Sequence, residues 1–512
     1  MKILIKNIGY ASFNNDIRAL VSSFYPGAEL VFEEYSGENQ SDDAAAFDKS
    51  CGGISGNNMN NKGRTAEAVP VLSYNEIIDI DLIAEGHEEN PIRFEEKTEL
   101  KKLIYNELSE KTGKKLPWGT LTGIRPVRIR EMLEAGGESP DEINRELKEK
   151  FLISDAKIAL MNDIADREKR LLEAIDYRNG SSIYIGIPFC PTRCLYCSFT
   201  SNQVGENDER PDRYVDCVCR ELDALCEGRK DKDGISFEKD RLKTLYIGGG
   251  TPTALNERQL EKLLGKVDDL FGVPYEYTVE AGRPDSITRE KLELLKAHGV
   301  GRISINPQTF NQHTLDIIGR RHTVEQTVWA YELARELGFD NINMDIIVGL
   351  PGEGIREVMH TLDVIRELEP ESLTVHALAV KRASRLSTEG KAWGGIERKG
   401  MTPDSSEADE IRRMTELGAE CAESMHMHPY YLYRQKNMAG NQDNVGYAKE
   451  GTECLYNILM MEEKHSVYGI GAGASTKLVL PEKLDKSSKM LQNRIKRYDN
   501  VKNLNDYLIY SF

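Results

Sequence analysis

Apolar and polar positions change rhythm several times along this chain, and the changes divide it. Residues 2–6 (KILIK) and 28–34 (AELVFEE) have the character of strands, and a helical stretch near 14–24 lies between them. A small α/β element is therefore expected within a first region, 1–95. Residues 36–68 lose all rhythm: Ser, Asn, Gly and Asp dominate, and large apolar side chains are almost missing. Such a segment cannot bury enough surface to offset the entropy of ordering it, so a disordered insertion is expected there, with Cys51 as an exposed thiol. Residues 96–178 return to helical spacing in KTELKKLIYNELSEKTG, in RPVRIREMLEAGG and in a charged stretch from about 154 to 177. Between the first two lies WGTLTGIRP (118–126). It reads either as a helix-connecting turn anchored by Trp118 or as a loop facing a substrate.

From residue 182 the rhythm becomes regular. Strand-like runs at 183–188, 243–247, 276–280, 302–306, 341–348 and 372–378 alternate with amphipathic stretches at 211–227, 257–271, 287–298, 312–318, 324–337 and 354–367. Strands separated by helices of that length predict parallel β/α units with right-handed crossovers. Six units are too few for a closed eightfold barrel. The expected fold class is thus α/β, a partial (β/α)6 barrel over 179–400. Beyond about residue 400 the regularity stops. A helix at 407–424, an aromatic run at 429–433 and the Gly-rich YGIGAGAST at 468–476 predict a smaller C-terminal domain over 401–512.

Composition narrows the function classes. Hydrophobic residues make up 39% and charged residues 29% of the 512 positions, as in ordinary globular proteins. No apolar run approaches the roughly 20 residues of a membrane span, and the N-terminus lacks the pattern of a signal peptide. The cytoplasm is the expected compartment. A net charge of −17 disfavours nucleic acid as the main partner but leaves room for a local basic pocket. Nine cysteines in such a chain are expected as thiols or metal ligands.

Three of them stand out. Cys190, Cys194 and Cys197 follow the first strand of the regular array at spacings of four and three. Three thiolates on one loop can wrap a corner of an iron–sulfur cube and leave one iron open to a small molecule. A structural zinc site wants a fourth N or S ligand at typical spacing, and none follows here. Cys217, Cys219 and Cys226 sit on a predicted helix at poor spacing for a second cluster. His376, at the end of the sixth strand, reads as a packed neutral histidine.

The segment YIGIPFCPTRCLYCSF (184–199), with GGGTPT (248–253) after the second strand, resembles the radical S-adenosylmethionine family. The resemblance extends over about 182–480 to the oxygen-independent coproporphyrinogen III dehydrogenases. It implies a [4Fe–4S] cluster on the three cysteines and S-adenosylmethionine contacts from Tyr184, Tyr196, Gly249, Gly250, Thr251, Glu280, Gln308, Arg320, Asp345 and Ala379. It also implies a reaction. A 5′-deoxyadenosyl radical takes hydrogen from a propionate side chain of coproporphyrinogen III, and loss of carbon dioxide and an electron leaves a vinyl group. An unidentified electron donor is needed. Basic residues for the substrate carboxylates would come from Arg320, Arg321, Lys381, Arg382 and Arg434. The run Tyr430, Tyr431, Tyr433, Arg434, Gln435, Asn437 reads either as part of a tetrapyrrole site or as a core strand.

Relatives depart from this chain at three places: the best-studied pattern has a cysteine where Phe199 stands and a histidine where Gly186 stands, and relatives more often carry Gly-Val ahead of Gln308, where this chain reads SINPQTF. A haem-delivering chaperone of the same superfamily is the rival function. Such chaperones carry a His-Asn…Tyr-Trp element, and residues 434–448 (RQKNMAGNQDNVGYA) lack the His-Asn pair and the Trp, which favours the enzyme. An RNA-modifying radical enzyme would need further cysteines and a basic domain, and the acidic chain offers neither.

Overall fold

A computed structural model describes residues 1–7, 11–25, 28–33, 76–80, 94–123, 125–199, 201–205, 208–228, 237–379, 384–386, 405–434, 438, 441–480 and 494–510. The insertion expected at 36–68, Cys51, Lys381, Arg382, Gln435 and Asn437 lie outside them.

The first strands form a three-stranded parallel sheet in the order β2-β1-β3, from β1 (Lys2–Lys6), β2 (Glu29–Phe32) and β3 (Glu76–Asp79). Ile3 and Ile5 of β1 share a core with Ile17, Leu20 and Phe24 of α1 (Asn14–Phe24) and Ile104 of α2 (Phe94–Thr112). Then come α3 (Val127–Ala135), α4 (Pro140–Glu149) and α5 (Asp155–Glu173). Helix α4 is additional to the expected ones. Its start is fixed by a capping box in which Ser139 Oγ accepts from the Glu142 amide and Glu142 Oε2 accepts from the Ser139 amide at 2.9 Å.

The loop 118–126 proves to be an anchored turn. Trp118 is fully buried and donates from Nε1 to Asp443 Oδ2 at 2.7 Å, and Lys157 pairs with the same carboxylate at 2.6 Å.

All six expected β/α units form. Their strands are β4 (Ser181–Ile187), β7 (Leu242–Gly249), β8 (Glu276–Glu280), β9 (Arg302–Ser304), β10 (Ile342–Val348) and β11 (Ser372–Ala377). A short pair, β5 (Phe189–Cys190) and β6 (Asn202–Gln203), follows β4. The intervening helices are α6 (Arg210–Cys226), α7 (Glu257–Phe271), α8 (Arg289–Ala297), α9 (Gln312–Ile317), α10 (Val324–Glu336) and α11 (Ile355–Leu368). The six strands pair in parallel in the order β11-β10-β9-β8-β7-β4.

Residues beyond 400 add α12 (Ser405–Ser424), α13 (Leu455–Met461) and α14 (Leu504–Tyr510), and strands on both edges of the same sheet. On one side β13 (Asn444–Ala448) and β12 (His428–Tyr433) continue it antiparallel. On the other, β14 (Ser466–Ile470) pairs in parallel with β4, and the antiparallel β15 (Ser475–Leu480) and β16 (Arg494–Asp499) follow. Strand β14 lies in the Gly-rich run because its turn is tight: a Cβ on Gly469 would fall 2.6 Å from the carbonyl of Ser475.

Successive strand residues point to opposite faces. On the outer face Ile183, Leu245, Val279, Ile303 and Met344 meet the helices in the main core. The inner face is polar and largely buried, with Ser182 opposite Thr244, Tyr246 opposite Thr278, Glu280 opposite Ser304 and Asp345 opposite Thr374. Parallel sheets covered on both sides ordinarily carry near-continuous apolar strands. This one does not.

Candidate active site

At the amino ends of the strands the inner face is closed. Glu276, the first residue of β8, accepts from the amides of Leu455 and Tyr456 and so caps α13. Tyr456 stacks on Tyr246 with ring centroids 4.6 Å apart, and Tyr246 stacks on Tyr184 at 6.2 Å. Strand β12 carries a bulge between Pro429 and Tyr431, so both Tyr430 and Tyr431 pack into this aromatic floor, their rings 4.8 Å apart. A simple alternation of core and surface residues does not describe that run.

At the carboxyl ends sits the cysteine loop. The Gly250 amide donates to Ile187 O and the Thr251 amide to Phe189 O, both at 2.7 Å, which ties the end of β7 to the loop after β4. The approach needs glycine: a Cβ on Gly250 would lie 2.4 Å from Phe189 O, and Gly249 adopts φ +110. Thr251 Oγ1 lies 3.7 Å from Cys190 Sγ. Further round, the Leu195 amide donates to Ile318 O at 2.8 Å and Thr192 Oγ1 to Gly319 O at 3.0 Å. The loop is therefore held from three sides.

Burial pushes the Cys190 thiol up to about 11, and the charges of Cys194 and Cys197 add to that effect, so the three sulfurs are electrostatic neighbours. Among the described residues no group of three or more His, Cys, Asp or Glu side chains is gathered tightly enough for a single metal ion. A cluster sets its thiolates around the corners of a cube, further apart than ligands of one ion. The donor set fits it: three thiols on one loop, one buried and two half-buried, which a bound metal would hold deprotonated, and a cationic Arg283 Nη1 3.6 Å from Cys194 Sγ.

The remaining expected residues line the inner face or its rim. Glu280 accepts from the Tyr246 hydroxyl at 2.6 Å, and burial pushes its carboxyl up to about 7, with the charge of Asp345 acting in the same direction. Burial also pushes Asp345 up, but His376, whose Nε2 lies 3.7 Å away, and the amide of Asn343, donating at 2.8 Å, outweigh it and leave the carboxyl below its usual range. Gln308 sits at φ +66, a conformation costly for a side-chain-bearing residue. It is held there by its amide donating to Asp345 O and its carbonyl accepting from Ile347, both at 3.0 Å. Its buried Oε1 has no hydrogen-bond partner, nor has Asn306 Oδ1. These are acceptors suited to a polar ligand.

Arg320 is 3% exposed and spends its guanidinium on Gly282 O at 2.7 Å, Asn306 O at 2.8 Å and the Tyr196 hydroxyl at 3.2 Å. It joins three loops of the rim. Half-buried Ala379 bridges Met438 at the sheet's far edge. Arg434, expected as a substrate cation, is buried and committed to Leu121 O at 2.7 Å and the Trp118 ring. Arg321 is exposed, and so is Phe199. His376 is not a packed core residue: it is half-buried beside Asp345 and Tyr433.

Sequence reasoning missed Tyr246, Tyr456 and Arg283. Tyr246 alternates with Thr244 and Gly248 on the inner face, a signal that was present in YIGGG. Tyr456 and Arg283 carry no local signal.

Comparison with known proteins agrees with this geometry. Residues 184–365 match the radical SAM superfamily. Over 379 residues, 73% of this chain and 72% of the relative, it is 41% identical to the oxygen-independent coproporphyrinogen-III oxidase-like protein HemZ of Bacillus subtilis. Over 299 residues, 57% of this chain and 70% of the relative, it is 31% identical to the haem chaperone HemW of the same organism. The solved coproporphyrinogen III oxidase of Escherichia coli superposes with a TM-score of 0.48 at 20% identity, covering 67% of this chain and 71% of that one. No helix among the described residues is long and apolar enough to cross a membrane. The superfamily's cofactors are a [4Fe–4S] cluster and S-adenosylmethionine, and this chain, with its three-cysteine loop above a polar inner face, belongs to that superfamily, among the coproporphyrinogen-III oxidase-like proteins.

Proposed function

We propose that the chain is an oxygen-independent coproporphyrinogen III dehydrogenase of the cytoplasm, converting two propionates of a tetrapyrrole to vinyl groups. The observation that carries this reading is the buried polar face beneath the cysteine loop, where an otherwise ordinary parallel sheet retains two carboxyls and an unpartnered amide oxygen. Cys190, Cys194 and Cys197 hold the cluster. Glu280 and Asp345 grip the ribose and ammonium groups of S-adenosylmethionine, and Gln308 Oε1 and the backbone of Gly249, Gly250 and Thr251 receive its polar edges. Tyr184 supports the glycine turn, while Arg320 and Tyr196 fix the rim, with Ala379 at its far end. When bound, the two cofactors supply a carbon radical able to take hydrogen from an unactivated C–H bond. The aromatic floor of Tyr246, Tyr456, Tyr430 and Tyr431 excludes water behind that chemistry. The polar face lies on one continuous sheet, with the cysteine loop at its carboxyl end and the floor from α13 and β12 at its amino end, which supports a single reaction chamber over separate binding surfaces.

The test is anaerobic. Protein reconstituted with iron and sulfide is given a strong reductant, S-adenosylmethionine and coproporphyrinogen III. Formation of 5′-deoxyadenosine together with protoporphyrinogen is expected. Tight stoichiometric haem binding with no turnover would replace the enzyme by the chaperone reading, to which the 31% identical HemW relative points.

A further inference from the structure

The loop bearing the three cysteines is backed by a charge pair that the radical chemistry above does not use. Arg283 follows β8 and is 3% exposed. Its Nη1 donates to Thr192 O at 3.1 Å and points at Cys194 Sγ at 3.6 Å, while Nη2 donates to Thr192 Oγ1 at 3.0 Å. Asp285 holds the other side of the same guanidinium, accepting from Nε at 2.9 Å and Nη2 at 2.7 Å. The fork-shaped cation is therefore locked in one orientation, with one nitrogen on a cysteine sulfur and the opposite edge on a carboxylate.

We propose that Arg283 and Asp285 act together as the element that sets the reduction potential of the cluster. This rests on the cluster's placement at Cys190, Cys194 and Cys197. Reduction adds one electron from a low-potential donor, makes and breaks no bond, and leaves the cluster and its thiolates one charge more negative. A buried cation donating to a ligand sulfur stabilises the reduced form, and a carboxylate behind it tempers that effect. Arg283 is thus a positioning and tuning residue, touching a ligand and no substrate. Stabilisation of the reduced cluster comes from below the loop, not from its solvent side.

The experiment is a redox titration of the reconstituted protein followed by electron paramagnetic resonance, with iron and sulfide counted per chain. Arg283→Gln is expected to lower the equilibrium constant for reduction about tenfold, equal to about 59 mV for a one-electron couple. Arg283→Lys, which keeps the charge, should stay within about threefold of the wild type, and Asp285→Asn should raise the constant by about threefold. Opposite shifts from two adjacent residues are the signature of a charge pair, because loosening of the loop would move both variants in the same direction. An Arg283→Gln protein with full cluster content and an unchanged potential overturns the proposal, as do shifts of equal sign. If Arg283→Gln does not assemble a cluster, Asp285→Asn decides alone, and a potential unchanged or lowered overturns the proposal. Wild-type protein that binds no iron, or cysteine variants that keep it, would instead remove the cluster placement itself.

Discussion

Strands β1 and β10 both run between parallel partners, and both alternate: KILIK in the small N-terminal sheet, INMDIIV in the large one. In β1 the positions alternating with Ile3 and Ile5, namely Lys2, Leu4 and Lys6, are partly open to water, so its lysines keep their hydration. In β10 the alternate positions are covered: Asn343 is 4% exposed, and Asp345 is a half-buried carboxyl with polar neighbours on both sides. Burying an amide or a carboxylate costs several kcal/mol unless it is hydrogen-bonded. The large sheet carries this cost along its inner face, whereas β1 of the N-terminal sheet leaves its polar positions partly open to water. Alternation alone does not separate the two; alternation under cover does.

The sharpest break of this contrast is at the cluster. Cys194→Ala should reduce iron per chain to background and abolish 5′-deoxyadenosine formation, and retention of either would remove the site. Next come the two faces of the large sheet. Ile303→Ala on the outer face should cost about 2–5 kcal/mol in denaturant unfolding. Asp345→Asn on the inner face should cost under about 1 kcal/mol in cofactor-free protein, yet weaken S-adenosylmethionine binding at least about tenfold by calorimetry. Equal destabilisation by the two would mean that the inner face is structural.

The smallest effect concerns pH. The folded-state pKa of Glu280 is raised from 4.5 to about 7, so its contribution to stability is fully present below pH 4.5 and is lost as pH rises through 7. Glu280→Gln removes this dependence. The difference between wild-type and variant urea midpoints, without cofactors, should therefore drift against the wild type from pH 4.5 to 7 and then level off. A flat difference would mean the carboxyl is hydrated.

Local patterns carried much of this into the sequence. The six β/α units and the cysteine loop were legible because each rests on neighbours a few residues apart, in turns, caps and amphipathic helices. What stayed hidden depends on distant partners. Strand β14 pairs with β4 nearly three hundred residues earlier, and the Gly-rich run that overlaps its end disguises it as a loop. The bulge that turns both Tyr430 and Tyr431 inward follows from pairing with β13, not from any spacing in HPYYLY. Arg434 looks like a free cation in sequence and is spent on Trp118 and Leu121, more than three hundred positions away. Arg320, likewise, was legible as a conspicuous charge and illegible as a strut between loops.

The capping of α13 by Glu276 has a consequence for the order of assembly. The bond joins residues 180 positions apart, and the Trp118–Asp443 contact spans 325. Both must wait until the ribosome has released residues 443 and 456. Until then the six-stranded sheet stands with its inner surface open to water. Because that surface is mostly hydroxyls, amides and carboxyls, with Tyr184 and Tyr246 as its aromatic patch, the nascent intermediate shows a smaller apolar surface on that side to aggregate through. The polar residues of the inner face thus also limit the apolar surface of the unfinished sheet, whose chamber stays open while it waits for its floor.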